Sequence, residues 1–119
     1  PTICWRGDDV LVLGSPGGPR IPTATAQVLL NVVADGDELQ AAVNRPRIHH
    51  QWLPDAIFVE PDALAPETAA ELERRGHELR EIRAIGDVNA VRRAADGGVA
   101  AAADPRGGGG AVVQHPAPG

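Results

Sequence analysis

The chain has no methionine, no tyrosine, a single cysteine and only three aromatic residues, Trp5, Trp52 and Phe58, among its 119 residues. Each shortage excludes something. Translation starts at a methionine, so Pro1 is expected to be a processed end or a cut within a longer polypeptide. A lone Cys4 rules out an internal disulfide framework and leaves the redox compartment open. Three rings are a thin aromatic supply for a self-sufficient core. No apolar run approaches the ~20 residues that a spanning helix needs, so no membrane span is expected. Positive charge is short as well: 11 Lys and Arg stand against 16 Asp and Glu, for a net charge of −5. The largest basic cluster is Arg45, Arg47, His49 and His50. Phosphate binding needs a broader basic patch, so nucleic acid is excluded as a partner. No signal peptide opens the sequence, but a chain without its start does not report on export.

What remains is ordinary globular material. Hydrophobic residues make up 43%, mostly Ala, Val, Leu and Ile, and the length suits one domain. Residues 2–5 and 9–13 read as a hairpin around Arg6-Gly7-Asp8. A helix is expected from Pro22 or Thr23, with Ala26, Leu29, Leu30 and Val33 at helical spacing and Gly36 as its C-cap. A short helix should follow over 38–43, stopped by Pro46, then an extended stretch over 47–54 and a strand over 56–60. Pro66 opens a third helix running to Arg75 and ended by Gly76. Residues 79–83, 88–93 and 99–102 read as strands separated by turns at Gly86-Asp87 and Asp96-Gly97-Gly98. Residues 1–106 form the folded unit of this reading, and 107–119 a mobile Gly- and Pro-rich tail. This order predicts an α+β fold, part of a layered αββα arrangement, rather than a doubly wound sheet.

The most chemical feature is Gly14-Ser15-Pro16-Gly17-Gly18, set between a strand and a helix. Adjacent glycines reach backbone conformations closed to other residues and let a ligand approach the main chain. Consecutive N–H groups ahead of a helix N-terminus make an anion site. Such a site suits a carboxylate, a phosphate or the oxyanion of acyl transfer. The spacing fits neither a Walker A loop nor a dinucleotide fingerprint, which disfavours nucleotide. The plain alternative is a tight strand-to-helix turn with no ligand.

The block from Leu13 to Pro22, with Gln27-Val28-Leu29-Leu30-Asn31-Val32, resembles the γ-glutamyltranspeptidase family. So do Ala41 to Asp55, Gly76-His77, Gly86-Asp87-Val88-Asn89-Ala90-Val91 and Ala103-Asp104-Pro105-Arg106, in one order along about the first hundred residues. The resemblance implies an Ntn hydrolase, incomplete here: a precursor that cuts itself into two subunits and exposes an N-terminal threonine as nucleophile. That threonine attacks γ-glutamyl donors such as glutathione, and water or an amine then takes the acyl group. The resemblance makes Gly17 and Gly18 the two backbone oxyanion donors. It also implies that this chain is the C-terminal portion of the small subunit, without the nucleophile, the paired serines upstream or the large subunit. On that reading the chain alone is inactive. Its partners are the large subunit and the N-terminal part of the small subunit, and the parent is secreted or periplasmic. No cofactor and no metal is implied. An exposed sheet edge predicts a homodimer or aggregate when the chain is produced alone. Relatives acting on cephalosporin side chains or poly-γ-glutamate are not separated from the main reading, and a non-catalytic folding or interaction module is the alternative class.

Other constellations are weaker. Pro1 at a true terminus could serve as a secondary-amine base, as in tautomerases, although the body of the chain points elsewhere. His49, His50 and Asp55 lack a zinc ligand set, because adjacent residues of an extended segment face opposite ways. A structural role beside Trp52 is expected for them instead. Asp104 and Arg106 read as an exposed pair holding the end of the fold, a contact of the kind worth ~0–1 kcal/mol. Glu67, Glu71, Glu73, Arg74 and Arg75 read as a solvated helix face.

Overall fold

The computed structural model describes residues 1–114; residues 115–119, the end of the tail expected from 107 onward, lie outside the described residues. In chain order the elements are β1 (Thr2–Arg6), β2 (Asp9–Gly14), a 3-10 turn (Gly18–Arg20), α1 (Ile21–Val33), α2 (Leu39–Asn44), β3 (Ile48–His49), β4 (Ile57–Val59), α3 (Pro66–Arg74), β5 (Leu79–Glu81), β6 (Asn89–Arg93) and β7 (Val99–Ala102). They build two sheets, one ordered β1-β2-β6-β7 and antiparallel throughout, the other ordered β3-β4-β5. The fold is α+β, as the order of strand and helix signals predicted.

Period-2 alternation decides what each face of the larger sheet does. Leu11 and Leu13 point inward and are buried with Ala90 and Ala102 from β6 and β7. Helix α1 covers them with Ala24, Val28 and Val32, a four-residue spacing that keeps one stripe on the sheet. Helix α2 adds Leu39, Ala42 and Val43 to the same core. The register places Ile3, Val12, Val91 and Ala101 in one row across the opposite face, and Trp5, Val10, Arg93 and Val99 in the next. No helix lies on that face among the described residues: Ile3 is 58% and Trp5 69% exposed, and Val12, Val91 and Val99 are exposed too.

Two of the boundaries that differ from expectation have clear local reasons. Helix α1 ends at Val33 with Ala34 as its cap, while Gly36 takes its positive φ of 77° two residues further on. Glu38, expected inside α2, stands just before it, where its carboxylate accepts the free amides of Gln40 and Ala41. An acid at a helix start satisfies orphan donors and complements the dipole. In the second sheet β4 and β5 run parallel, joined through α3. Helix α3 buries no residue, and Glu71 pairs on its surface with Arg74 and Arg75. Among the described residues no helix is long and apolar enough to cross a membrane.

Candidate functional site

Strand β2 runs out at Gly14, and the chain turns through Ser15, Pro16 and Gly17 into the 3-10 turn ahead of α1. Gly17 has φ 131° and Gly18 φ 58°, positive values that an L side chain rarely adopts. Their carbonyls are used: the Arg20 amide donates to Gly17 O at 3.2 Å, and the Ile21 amide to Gly18 O. Their amides are not. Among the described residues neither the Gly17 nor the Gly18 N–H has an acceptor, and both glycines are exposed. Space is open at Gly18, where a Cβ would meet nothing within 4 Å. Both amides lie at the start of the three-residue 3-10 turn, which leads into α1 at Ile21.

Behind the loop sits the turn Gly86-Asp87. The Asp87 amide donates to Ser15 Oγ at 2.9 Å, and Ser15 Oγ donates to Pro16 O at 2.6 Å. A Cβ at Gly86 would stand 2.7 Å from Ala24 Cβ and 2.8 Å from Ser15 Oγ, so only glycine lets this turn close on the loop. Gly107 is as crowded from the other side. A Cβ there would meet the Asp87 carboxylate, whose Oδ1 accepts from the Asn89 side chain at 3.0 Å.

The ends of this turn are held by a buried ionic group. Arg47, Glu60 and Asp104 are all buried and Arg106 nearly so. Glu60 accepts from the Ile85 amide at 2.6 Å, the Arg47 amide at 2.9 Å and Arg106 Nε at 2.7 Å. Arg47 donates to Ile85 O at 2.9 Å and Val43 O at 2.7 Å, and pairs with Asp104 at 2.8 Å. Asp104 accepts from the Val88 amide at 2.6 Å and from Arg106. The exposed Asp104–Arg106 pair expected from the sequence is therefore part of a buried four-member network, and the figure for exposed pairs does not apply to it. Sequence reasoning missed Arg47 and Glu60 as its other members. The sequence sets Arg47 in one basic cluster with Arg45, which is exposed and pairs with Asp35 and Asp37.

Charge in this group responds to burial and contact in opposite senses. Burial pushes the Asp104 carboxyl up, but hydrogen bonds from the Arg106 and Val88 amides and from the Arg106 and Arg47 side chains outweigh it, leaving it below the usual aspartate value of 3.8. Burial pulls Arg47 down against the opposing pull of Asp104 and Glu60, yet an arginine starts so high that it stays charged. Hydrogen bonding to Glu60 holds Arg106 above its ordinary value. A carboxyl with a depressed folded-state pKa stabilises the fold above its unfolded value and loses that contribution as pH falls through the folded value. The Asp104 contribution is thus complete above about pH 3.8 and declines below it. Acid titrations followed by circular dichroism should show a flatter response in that window for Asp104→Asn than for the parent chain.

Residues 1–114 match the family model described as gamma-glutamyltranspeptidase. The chain belongs to that family. It is 40% identical over 107 residues to the glutathione hydrolase proenzyme of Escherichia coli K12, covering 89% of this chain and 18% of that protein. To the glutathione hydrolase proenzyme of Pseudomonas aeruginosa it is 41% identical over 121 residues, covering 98% and 21%. The chain spans about a fifth of the length of these curated relatives. Among solved structures it is similar to the gamma-glutamyltranspeptidase from Pseudomonas nitroreducens complexed with L-DON, with TM-score 0.85 and 40% identity over 97% of this chain and 61% of that one. The Bacillus anthracis transpeptidase enzyme CapD gives TM-score 0.83 at 25% identity, covering 96% and 69%. The fold is that of the γ-glutamyltranspeptidase Ntn hydrolases.

The other γ-glutamyltranspeptidase-like blocks hold α1 against the second sheet. Gln27 pairs with the Ile48 main chain through both ends of its amide, at 3.0 and 2.8 Å, as a strand would. His49 is buried, stacks on Phe58, and joins Thr23 Oγ1 and Gln51 Oε1 at 2.9 Å each. Gln51 Oε1 can only accept, so in the neutral imidazole Nε2 carries the proton and Nδ1 accepts from Thr23. His50 turns outward to Asp55 at 3.2 Å, as the alternation of an extended segment requires. The Trp52 ring is exposed and its amide donates to His50, so the buried histidine packs on Phe58 rather than beside Trp52.

Proposed function

We propose that this chain is the C-terminal portion of the small subunit of a γ-glutamyltransferase or glutathione hydrolase, and that Gly17 and Gly18 donate its oxyanion hydrogen bonds. The observation that carries this reading is the pair of consecutive, exposed glycine amides, without acceptors among the described residues, at the start of the 3-10 turn ahead of α1. An N-terminal threonine from the remainder of the protein attacks the carbonyl carbon of the γ-glutamyl amide, and its own amine takes the hydroxyl proton. The C=O electron pair moves onto oxygen, where the two amides stabilise it. Collapse expels the amine of the donor, protonated by the same group, and leaves the γ-glutamyl ester. Water or an acceptor amine repeats the sequence on that ester. Glutathione is the donor class this family membership suggests.

The remainder of the small subunit and the large subunit are the partners of this reading. They complete the sandwich by covering the bare sheet face of Ile3, Trp5, Val12, Val91 and Val99. On this reading the parent protein is secreted or periplasmic. Left alone, the same face and the β1 edge favour pairing with a second copy, and sedimentation should then depend on concentration. A strictly monomeric profile at high concentration would contradict this.

The test is release of nitroaniline from γ-glutamyl-p-nitroanilide, comparing the complete polypeptide with this chain alone. Turnover is expected only in the complete, self-cleaved protein. Activity of the isolated chain, or none in a complete protein that has cut itself, would overturn the reading.

A further inference from the structure

Ser15 has one proton and two lone pairs, and the fold uses them in a directed way. Its hydroxyl gives its proton to Pro16 O at 2.6 Å and accepts the Asp87 amide at 2.9 Å. The Pro16 carbonyl and the Gly17 N–H belong to one planar peptide unit, with C=O and N–H pointing opposite ways. Holding the oxygen therefore fixes the direction of the Gly17 N–H. Polarising the same carbonyl also strengthens that N–H as a donor.

The anchor on the other side is equally fixed. Asp87 lies between Ile85, whose amide and carbonyl are taken by Glu60 and Arg47, and Val88, whose amide is taken by Asp104. Its neighbour Gly86 packs against Gly17, whose Cβ, if it had one, would lie 3.8 Å from Gly86 Cα. The buried network of Arg47, Glu60, Asp104 and Arg106 thus reaches the glycine loop through four residues, 85–88, and one hydroxyl.

We propose that Ser15 is a positioning residue for acyl transfer: its hydroxyl, anchored through residues 85–88 on the buried ionic network, aims the Gly17 amide at the oxyanion. The proposal rests on the assignment of Gly17 and Gly18 as oxyanion donors. Ser15 touches no reacting atom on this view, so its loss acts through the amide it orients.

The complete, self-cleaved protein should be assayed with γ-glutamyl-p-nitroanilide as Ser15→Ala, Ser15→Thr, Ser15→Cys and Gly18→Pro variants. Ser15→Ala is expected to lower kcat about 10-fold, a fraction of what losing a whole oxyanion donor costs, with KM within about two-fold of the parent. Ser15→Thr keeps the hydroxyl and should recover most of kcat, whereas Ser15→Cys, a weak donor, should not. That ordering is not what a packing defect would give, because threonine is the larger change. If Gly18→Pro abolishes turnover while Ser15→Ala keeps the parent kcat, the positioning role is wrong and the oxyanion assignment stands. If neither variant changes kcat, both fall. Should Ser15→Ala fail to mature, the comparison of Ser15→Thr with Ser15→Cys decides, and equal kcat values for those two would overturn the proposal.

Discussion

Gly18→Pro in the complete polypeptide is expected to slow γ-glutamyl transfer by about 10²–10³-fold, while Gly18→Ala keeps most of the activity. The contrast separates the loss of a donor from the loss of a glycine. Proline removes the N–H and imposes a negative φ where the chain needs 58°. Alanine keeps the N–H and meets nothing within 4 Å, so its cost is the ~1–2 kcal/mol of a left-handed L residue. Gly17 is less forgiving, since its φ of 131° lies outside the left-handed well that alanine can reach. Steady-state nitroaniline release, with self-cleavage confirmed by the two subunit bands, is the measurement. A Gly18→Pro protein that matures and turns over normally would remove the amide from the mechanism.

The largest stability effect should come from a residue outside the glycine loop. Asp104→Asn is expected to destabilise the fold by about 3–5 kcal/mol at neutral pH, the usual result of leaving one buried charge without its partner. Arg47 would keep two backbone acceptors but lose its direct carboxylate pairing at 2.8 Å, and the Val88 and Arg106 amides would compete for a single remaining oxygen. Glu71→Gln on the exposed face of α3 should be hard to tell from the parent. Chemical denaturation of the three proteins side by side makes the comparison. An Asp104→Asn protein as stable as the Glu71→Gln one would mean that Glu60 and Arg106 hold residues 85–88 without it.

What the sequence revealed of the fold was what local chemistry controls. Gly7 at a turn, Pro22 and Pro66 at helix starts and alternation over residues 9–13 mark the hairpin and helices within a residue or two. The same was true of the loop from Gly14 to Gly18, because glycines between a strand and a helix are themselves the signal. Partition into two sheets was not legible, since β2 finds β6 across most of the chain and β4 finds β5 in parallel, and no local residue encodes either pairing. Nor was the network. Arg45 and Arg47 are identical in composition terms, and only the fold sends one to solvent and the other beneath Val43 and Ile85. Glu60 looked like the last residue of a strand. At Gly107, first of four consecutive glycines, the Asp87 carboxylate is pressed against the position a side chain would fill, a contact no local residue encodes.

The pairing of β2 with β6 also governs when the molecule can form. The β1–β2 hairpin closes over a short turn and should appear within microseconds. Its inward residues Leu11 and Leu13 gain their remaining strand neighbour only when β6 arrives, and β7 then adds to β6. Gly14 must meet Asn89 after both helices of the core and the whole second sheet have been laid between them. Contacts so distant in sequence are slow to close. On a ribosome the hairpin would leave the exit tunnel long before its partners exist, carrying an apolar stripe on each face. Commitment to the fold therefore waits for the last strands, and a chain halted before β6 would be prone to aggregate.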